Sequence, residues 1–472
     1  MTTLRFHGSA AVLLLPLALF VAVTARLFIS EAAFDLTGLA AAGVLTLFSG
    51  SLLAKSPSEY WKAAVRGASS ELTGTVVLIL IASGIFSAMM KASGVADGLV
   101  FLGGMLHLTG HAFTAFVLLA SSLMAAATGS SIGTLLAAMP IFFPAGVALG
   151  ADPAMLAGAV LSGAIFGDNL APVSDVTVIS SVTQRFRNGT PADIAGVVRT
   201  RLPYAMLALA VSLPVYAFMG ASRPVSEAAL SGDASALLML VPVAVLIAVA
   251  VRTRDVLMAI SAGVVTGTAT GLLIGRLSFA TIFAADDGRL SGFLISGISN
   301  VSPIILLCVT LFAFTGIVRE AGVPDMMAKA LEAGSAGRPS ALRTELFLSA
   351  ATLVVTTLFA AVTSASVALV GSLTDDIGRA SNVHPYRRSH ILSGLANSLP
   401  VLMPFSAFVL ITMAAVSGLE GAAAVTPFTL MTAAFYPIAL FLVFGFMVLT
   451  GTGRMMETPE PEAAEAKTAT AL

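Results

Sequence analysis

Charged residues are scarce in this sequence. Asp, Glu, Lys and Arg together make up 10% of its 472 residues, whereas 57% are hydrophobic. Because a soluble domain carries about 25% charged residues, this composition excludes an ordinary soluble fold. The net charge of −1 gives no sign of a nucleic-acid partner, and none is expected.

Cysteine is nearly absent as well. The only one, Cys308, lies inside an apolar run, so a disulfide framework and a cysteine-based metal site are excluded. We interpret it as a small buried apolar residue. The sequence also lacks a nucleotide-binding loop, a nucleophile elbow and a zinc signature. We therefore expect neither an enzyme nor ATP-driven transport, and no cofactor.

Long apolar runs, in contrast, recur along nearly the whole chain. They predict an all-α polytopic membrane protein with about ten spans of about 20 residues each. Two further helix pairs, 110–150 and 342–378, are expected to form hairpins. The expected spans are 9–28, 33–54, 72–92, 153–182, 203–219, 235–251, 255–275, 299–318, 389–416 and 424–449.

Three segments outside this pattern have their own interpretation. The first run has no convincing cleavage site, so we expect a retained span and not a signal peptide. Segment 56–70 contains the only tryptophan, Trp61, and predicts an interfacial helix. The acidic segment 455–472 predicts a disordered tail.

The basic residues predict the orientation in the membrane. They share one side if both termini are cytoplasmic and the two hairpins are re-entrant, returning to the side that they left. The opposite loops are neutral or acidic, with Glu227, Asp233, Asp286, Asp287 and Glu420. The basic residues are Lys55, Lys62, Arg66, Arg185, Arg187, Arg199, Arg201, Arg252, Arg254, Arg338, Arg343, Arg379, Arg387 and Arg388.

The two halves of the chain match at one fixed offset, which indicates an internal repeat. With the predicted orientation the repeats are inverted, as in many secondary transporters; an ancient duplication without transport is the alternative. The matched residues are Phe86, Lys91, Gly94, Val95, Asp97, Asn169, Pro172 and Val173 with Phe314, Arg319, Gly322, Val323, Asp325, Asn397, Pro400 and Val401. The predicted division is 1–71, N-terminal spans; 72–202, first repeat; 203–298, connecting spans; 299–454, second repeat; and 455–472, tail.

Each repeat carries a polar break inside an apolar helix, around Pro172 in the first and Pro400 in the second. Proline removes a backbone donor, so the helix must unwind or kink there. Unwound backbone is tolerated at membrane depth where it lines a cavity or is buried in protein. Its freed carbonyls, with Asp, Asn and Ser oxygens, suit a hard cation. The predicted ligands at the breaks are Asp168, Asn169, Ser174, Asp175, Asn397 and Ser398.

Asp168 is the central candidate, because an intramembrane carboxylate is costly and usually faces a pathway. It can hold a proton or a cation but not both, which is the simplest basis for cation/proton exchange. Asp175 is the second titrating candidate. It lies seven residues further on, so both could face one side. A helix-capping role for either residue stays open.

The hairpin tips are polar and add further candidates. Thr128, Ser130, Thr363 and Ser364 supply hydroxyl oxygens for a substrate or ion, and a pure packing role stays open. Other polar residues are interpreted as structural. His107 and His111 are expected at an interface, Lys91 and Arg319 at span ends, and Asp375 and Asp376 at a solvated hairpin exit.

The stretch Leu161–Thr177, with Gly167-Asp168 followed by Pro172-Val173-Ser174-Asp175, resembles the signature of the NhaC-type sodium/proton antiporter family. Ala171 and Val176 stand where that pattern has serine and threonine. The resemblance implies inverted repeats with re-entrant hairpins in a bacterial inner-membrane protein. The family also includes exchangers of organic acids such as malate and lactate.

The resulting hypothesis is a secondary transporter that exchanges Na⁺ or Li⁺ for H⁺, with Asp168 as the Na⁺ ligand. Its main rival is a Na⁺- or H⁺-coupled carrier of a small organic acid or amino acid. The absence of Arg or Lys from both breaks argues against a dicarboxylate. A channel or a membrane enzyme lacks support. Expected partners are membrane lipids and the small cation, with a small organic solute and a homodimer left open.

Overall fold

A computed structural model describes residues 4–7, 10–27, 36–221, 233–253, 255–286, 289–322 and 340–457. Within these ranges the chain is almost entirely helical, which confirms the all-α prediction. Several residues singled out in the sequence lie outside the described ranges, together with most of the acidic tail. They are Glu227, Arg254, Asp287, Val323, Asp325 and Arg338.

The described part of the first half of the chain contains ten α-helices. They are α1 Leu14–Ala25, α2 Leu36–Leu53, α3 Pro57–Ala68, α4 Glu71–Ser93, α5 Val95–Met105, α6 Gly110–Thr128, α7 Ser131–Ala148, α8 Pro153–Leu170, α9 Asp175–Val182 and α10 Ile194–Met219.

The second half of the described chain adds ten more helices and a small antiparallel ribbon. They are α11 Leu240–Thr253, α12 Val256–Leu273, α13 Phe279–Ile282, β1 Ala284–Asp286, β2 Arg289–Ser291, α14 Phe293–Glu320, α15 Ala341–Leu358, α16 Thr363–Ala380, α17 Pro385–Ala396, α18 Ala407–Val416, α19 Pro427–Ala433 and α20 Phe435–Thr450.

These helices make the protein a multi-pass membrane protein. Among the described residues, eight helices are long and apolar enough to cross a bilayer, or up to ten if each bent pair is one span. Large apolar side chains point outward where a soluble protein would carry charge: Leu52 is 82% exposed and Leu273 is 86% exposed. Side chains of this kind on the outer surface are suited to lipid contact.

The two interrupted spans form as predicted. In the first, α8 and α9 cover 153–182 with a break at 171–174. Asp152 caps α8 by accepting from the Met155 N–H at 2.9 Å, and Pro153 supplies a first helical residue that needs no donor. The second consists of α17 and α18, which are bent by 53° and joined through the 3₁₀ turn Leu399–Leu402.

Helix α10 begins earlier than the sequence indicated, at Ile194 and not at residue 203. Asp193 caps it by accepting from the Gly196 N–H at 2.6 Å, and this cap sets the start. Arg199 and Arg201 therefore belong to the helix and not to the preceding loop. Helix α5 and the β1–β2 ribbon were not predicted.

The two hairpins also form, α6 with α7 and α15 with α16. The base of the first hairpin is closed by the Gly110 N–H, which donates to the Leu149 carbonyl at 2.8 Å. Its two helical arms, like the two arms of the second hairpin, are 18 or 19 residues long, which is enough for a full crossing. Re-entrance therefore stays a prediction, as does the inverted arrangement of the repeats.

The second arm of each hairpin packs against the C-terminal part of the broken helix in the other half of the chain. Helix α7 contacts α18, and α16 contacts α9. In the second contact, the Gln184 side chain donates to the Gly371 carbonyl at 2.9 Å. The two halves are thus interlocked through their hairpins.

Several charges that the sequence assigned to loops are buried, which corrects those predictions. Arg201, Arg387 and Arg388 are fully buried, so they cannot report which side faces the cytoplasm. Asp375 is also buried, paired with Arg388 at 2.7 Å, whereas Asp376 is exposed as expected. The solvated hairpin exit is therefore wrong for Asp375.

A second buried ion pair joins the hairpin to the chain beyond the last helix. Both oxygens of the fully buried Glu345 accept from Arg387, at 3.0 and 3.1 Å. Arg454 donates to the same two oxygens at 3.2 and 3.0 Å. Helices α15 and α17 and the segment after α20 therefore meet at one carboxylate.

Replacing Glu345 with Gln leaves the Arg387 guanidinium buried without its counter-charge. Removal of one partner from a buried pair costs about 3–5 kcal/mol, so we expect a marked fall in Tm. A thiol-reactive dye can follow unfolding in detergent, because buried Cys308 is the only thiol in the chain. The control is Glu59→Gln, which breaks the exposed pair with Lys62 and should leave Tm nearly unchanged. Equal Tm values for the two variants would contradict the role of Glu345.

Candidate functional site

The break between α8 and α9 forms where Pro172 interrupts the hydrogen-bond ladder. Ala171 adopts an extended conformation (φ −61°, ψ 128°), as expected for a residue that precedes proline. The last carbonyls of α8 consequently have no partner within the helix. The Thr177 hydroxyl donates to the Asp168 carbonyl at 3.2 Å and is within 3.5 Å of the Asn169 carbonyl. One side chain of α9 thus satisfies the end of α8.

Asp168 lies in the last turn of α8 and is only 5% exposed. The fully buried Ser174 donates its hydroxyl to the Asp168 carboxylate at 2.6 Å, and so forms no side-chain cap for α9. The Ser131 side chain, at the start of α7, lies near the same carboxylate. Asp168 therefore meets hydroxyl groups from both the break and the first hairpin.

The structure does not bring Asp175 into this buried cluster. Asp175 is exposed at the first residue of α9, where an acidic side chain favourably faces the positive end of the helix dipole. The helix is interrupted at 171–174, and the spacing of seven residues does not place both carboxylates on one buried face.

The tip of the first hairpin contacts the break directly. Gly129 adopts a left-handed conformation with φ +70°, and a Cβ atom there would lie 2.5 Å from the Val173 side chain and 3.1 Å from the Ser174 nitrogen. The two predicted tip hydroxyls are half-buried and bond locally. Thr128 donates to the Met124 carbonyl at 2.9 Å, and Ser130 caps α7 by accepting from Gly133 at 3.1 Å.

The second break is built differently from the first. Asn397 follows α17 and is fully buried, with no partner for either side-chain amide atom in the described part of the chain. Ser398 donates to the Leu395 carbonyl at 2.7 Å, and the buried Ser406 caps α18. A buried amide without partners is unusual, and it leaves Asn397 with unused capacity to bind a water molecule or an ion.

The second hairpin tip also contacts its own break. The Ala360 carbonyl accepts from the Ala407 N–H at 2.8 Å, and Ala360 is left-handed with φ +51°. The tip thus lies before the predicted hydroxyl run. Thr363 is 5% exposed and Ser364 is half-buried at the start of α16. In both halves of the chain, therefore, a hairpin tip lies against a broken helix.

Asn169 links the two breaks. Its side-chain oxygen accepts from Ser393 on α17 at 3.2 Å, and its nitrogen donates to the Tyr436 hydroxyl on α20 at 3.2 Å. Ser393 lies one helical turn before Asn397. The structure thus gathers the predicted residues Asp168, Asn169 and Ser174 at the first break. Asn169 connects them to α17, the helix that precedes the second break.

Arg201 is the main residue that sequence reasoning missed at this site. It is fully buried on α10, and it donates to the Asn169 carbonyl at 2.7 Å and to Ser393 at 2.9 Å. The only available signal was the Asp193 cap, which would have extended α10 across this position. Neither break contains a basic residue of its own, as the sequence indicates, but α10 brings Arg201 to the first break.

The fold and site define a membrane protein whose two broken helices meet at a buried polar cluster. Residues 3–221, which include the first break and its hairpin, match the model of the Na⁺/H⁺ antiporter family. This match confirms the resemblance to the NhaC-type sodium/proton antiporters. No cluster of three or more His, Cys, Asp or Glu residues that could hold a metal ion is found in the described ranges.

Three relatives of known name are similar to parts of the chain. The malate-2H(+)/Na(+)-lactate antiporter of Bacillus subtilis is 31% identical over 176 residues, 37% of this chain and 36% of that protein. The Na(+)/H(+) antiporter NhaC of Alkalihalophilus pseudofirmus is 28% identical over 280 residues, 54% of this chain and 58% of that protein. The arginine/ornithine antiporter ArcD of Halobacterium salinarum is 27% identical over 208 residues, 41% and 42% respectively. The chain thus spans between 36% and 58% of the length of these relatives.

The contact between the hairpin tip and the break predicts that Gly129→Ala is more harmful than an ordinary glycine substitution. A left-handed Ala costs about 1–2 kcal/mol, and the overlap with Val173 adds about 1–3 kcal/mol. Gly189→Ala is the matched control, because Gly189 is also left-handed (φ +83°) but has open space around its Cβ position. Tm in detergent should fall further for Gly129→Ala; an equal fall would mean that the tip does not press on the break.

Proposed function

We propose that this protein is a secondary transporter that exchanges Na⁺ or Li⁺ for H⁺ across the bacterial inner membrane by alternating access. The observation that carries the proposal is Asp168, a buried carboxylate in the last turn of a broken membrane helix. A buried charge is costly unless it is paired or neutralised. Asp168 is therefore stable with a proton or with a cation beside it, and the two compete.

The surroundings of Asp168 suit a small hard cation, which prefers oxygen ligands. Ser174 places a hydroxyl oxygen at the carboxylate, and the Ser131 hydroxyl lies nearby. Asn397 has an unpartnered, buried amide oxygen one turn beyond the residue that contacts Asn169. Five other predicted residues have only a supporting role in ion binding: Ser398, Thr128, Ser130, Thr363 and Ser364. Asp175 acts at the exposed edge of the site.

The interlocked hairpins support alternating access. Each hairpin tip contacts the break of its own repeat, while its second arm packs on the far half of the other repeat's helix. A shift of one repeat against the other would thus change both breaks together, as expected for inverted repeats. Both termini are proposed to be cytoplasmic, with the exposed basic residues on that side. The transporter is proposed to act in membrane lipid with no resident cofactor, as a monomer or a homodimer.

Asp168→Asn should abolish exchange, because an amide neither binds a proton in this range nor neutralises a cation. Proteoliposomes with an inside-acid pH gradient should lose it when Na⁺ or Li⁺ is added to wild-type protein, and K⁺ should have less effect. The Asp168→Asn protein should give the rate of empty liposomes. Asp376→Asn, which changes an exposed aspartate, is the matched control and should behave as wild type. Full exchange by a correctly inserted Asp168→Asn protein would contradict the assignment.

A second candidate function is a Na⁺- or H⁺-coupled carrier of a small organic acid or amino acid. Two of the relatives carry names of organic-solute antiporters. Arg201 also supplies a buried positive charge next to the first break, which removes the objection drawn from the sequence. The terminal nitrogens of Arg201 are already bonded to protein oxygens, however, so a solute carboxylate would have to displace them.

The same proteoliposomes separate the two candidates. Malate, lactate, arginine and ornithine are added with and without Na⁺. Loss of the gradient on Na⁺ or Li⁺ alone supports cation/proton exchange. Loss only when one of the organic solutes accompanies the ion would overturn it in favour of the solute carrier.

A further inference from the structure

Arg201 is a fully buried cation that has no carboxylate among its partners in the described chain. The other two fully buried arginines differ from it: Arg387 pairs with Glu345, and Arg388 pairs with Asp375. Moving a charge out of water without a counter-ion is costly. The surroundings of Arg201 must therefore stabilise it in another way.

Six neutral oxygen atoms surround the guanidinium group. They come from α8, α9 and α17, while Arg201 itself belongs to α10. Nη1 donates to the Asn169 carbonyl at 2.7 Å, the Ser393 hydroxyl at 2.9 Å and the Thr177 hydroxyl at 3.4 Å. Nη2 donates to the Ser389 hydroxyl at 3.0 Å, the Ser389 carbonyl at 3.2 Å and the Ser180 hydroxyl at 3.3 Å.

These six oxygen atoms, called here the oxygen cage, resemble the set of ligands that binds a hard cation in a protein. The members of the cage are carbonyl and hydroxyl oxygens from both repeats, converging on one charged group in a buried position. The Asn169 carbonyl belongs to the last turn of α8, where the helix dipole is negative. Only Nε lacks a partner, so nearly all of the hydrogen-bonding capacity of the side chain is used by the cage.

We infer that the oxygen cage is a cation site, and that the tethered guanidinium of Arg201 permanently occupies it. The positive charge that a free ion would bring to this junction is part of the chain. It holds the end of α8 against α17, with Asp168 one residue from the carbonyl that Arg201 binds. The inference does not depend on which ion or solute the protein carries, because the cage is defined by its own contacts.

Arg201→Ala should empty the cage without removing any of its oxygens. We expect a large fall in Tm, followed by a saturable recovery on addition of about 10 mM guanidinium, as for a ligand that binds only the folded state. The same concentration of choline, which is too large for the cage, should give no recovery. Unfolding is again measured through Cys308 in detergent.

Arg199→Ala is the matched control, since Arg199 is an exposed arginine on the same helix. Guanidinium should not raise the Tm of this variant or of wild type. If Arg201→Ala is recovered only unfolded, extraction in guanidinium should restore the folded yield while choline should not. Recovery that is equal with choline, or no recovery with either ion, would overturn the inference. If guanidinium rescues the stability of Arg201→Ala while the wild-type protein fails to exchange Na⁺ for H⁺, this inference stands and the proposed function alone is refuted.

Discussion

Backbone groups buried away from water must find partners inside the protein, and the structure around the first break depends on this constraint. Pro172 ends α8 early and leaves carbonyl groups in its last turn without helical partners. Thr177 and Arg201 supply the missing donors. Because Arg201 also binds Ser389 and Ser393, the repair of one helix end joins α8, α9, α10 and α17. The polar cluster is therefore held together by the solution to a local backbone defect.

That arrangement fixes the surroundings of Asp168. The carboxylate lies one residue before the carbonyl that Arg201 binds, and Ser174 reaches it from the unwound segment. Gly129 keeps the hairpin tip close to the same segment, because no side chain intervenes. Any movement of the first hairpin would consequently alter the hydroxyl groups that face Asp168. This is the physical link between the fold and the proposed exchange.

The breaks could be predicted from sequence because proline and a run of polar residues act locally. Pro172 and Pro400 each interrupt an apolar stretch, and the first interrupted span was predicted at its observed bounds, 153–182. The buried arginines could not be predicted in the same way. Counting basic residues treats an arginine near a span end as a loop residue, whereas the burial of Arg387 depends on Glu345, 42 residues away in the chain. Asp375 was misjudged for the same reason.

The candidate site shows the same division. Asp168, Asn169 and Ser174 lie close in sequence, so their proximity followed from the motif. Ser393 and Tyr436 meet Asn169 only through the packing of distant helices. The hydroxyl groups of the tips were predicted as ligands, yet Thr128 and Ser130 mainly satisfy their own backbone. Such local bonding is common for these residue types and competes with ligand binding.

The central claim is that a proton and a cation compete for one buried carboxylate. It is tested most directly by proton release from purified protein in weakly buffered detergent solution. Addition of Na⁺ is predicted to release protons from wild-type protein, with saturation as the site fills, and to release none from Asp168→Asn. Na⁺ binding without proton release, or equal release from both proteins, would contradict the account.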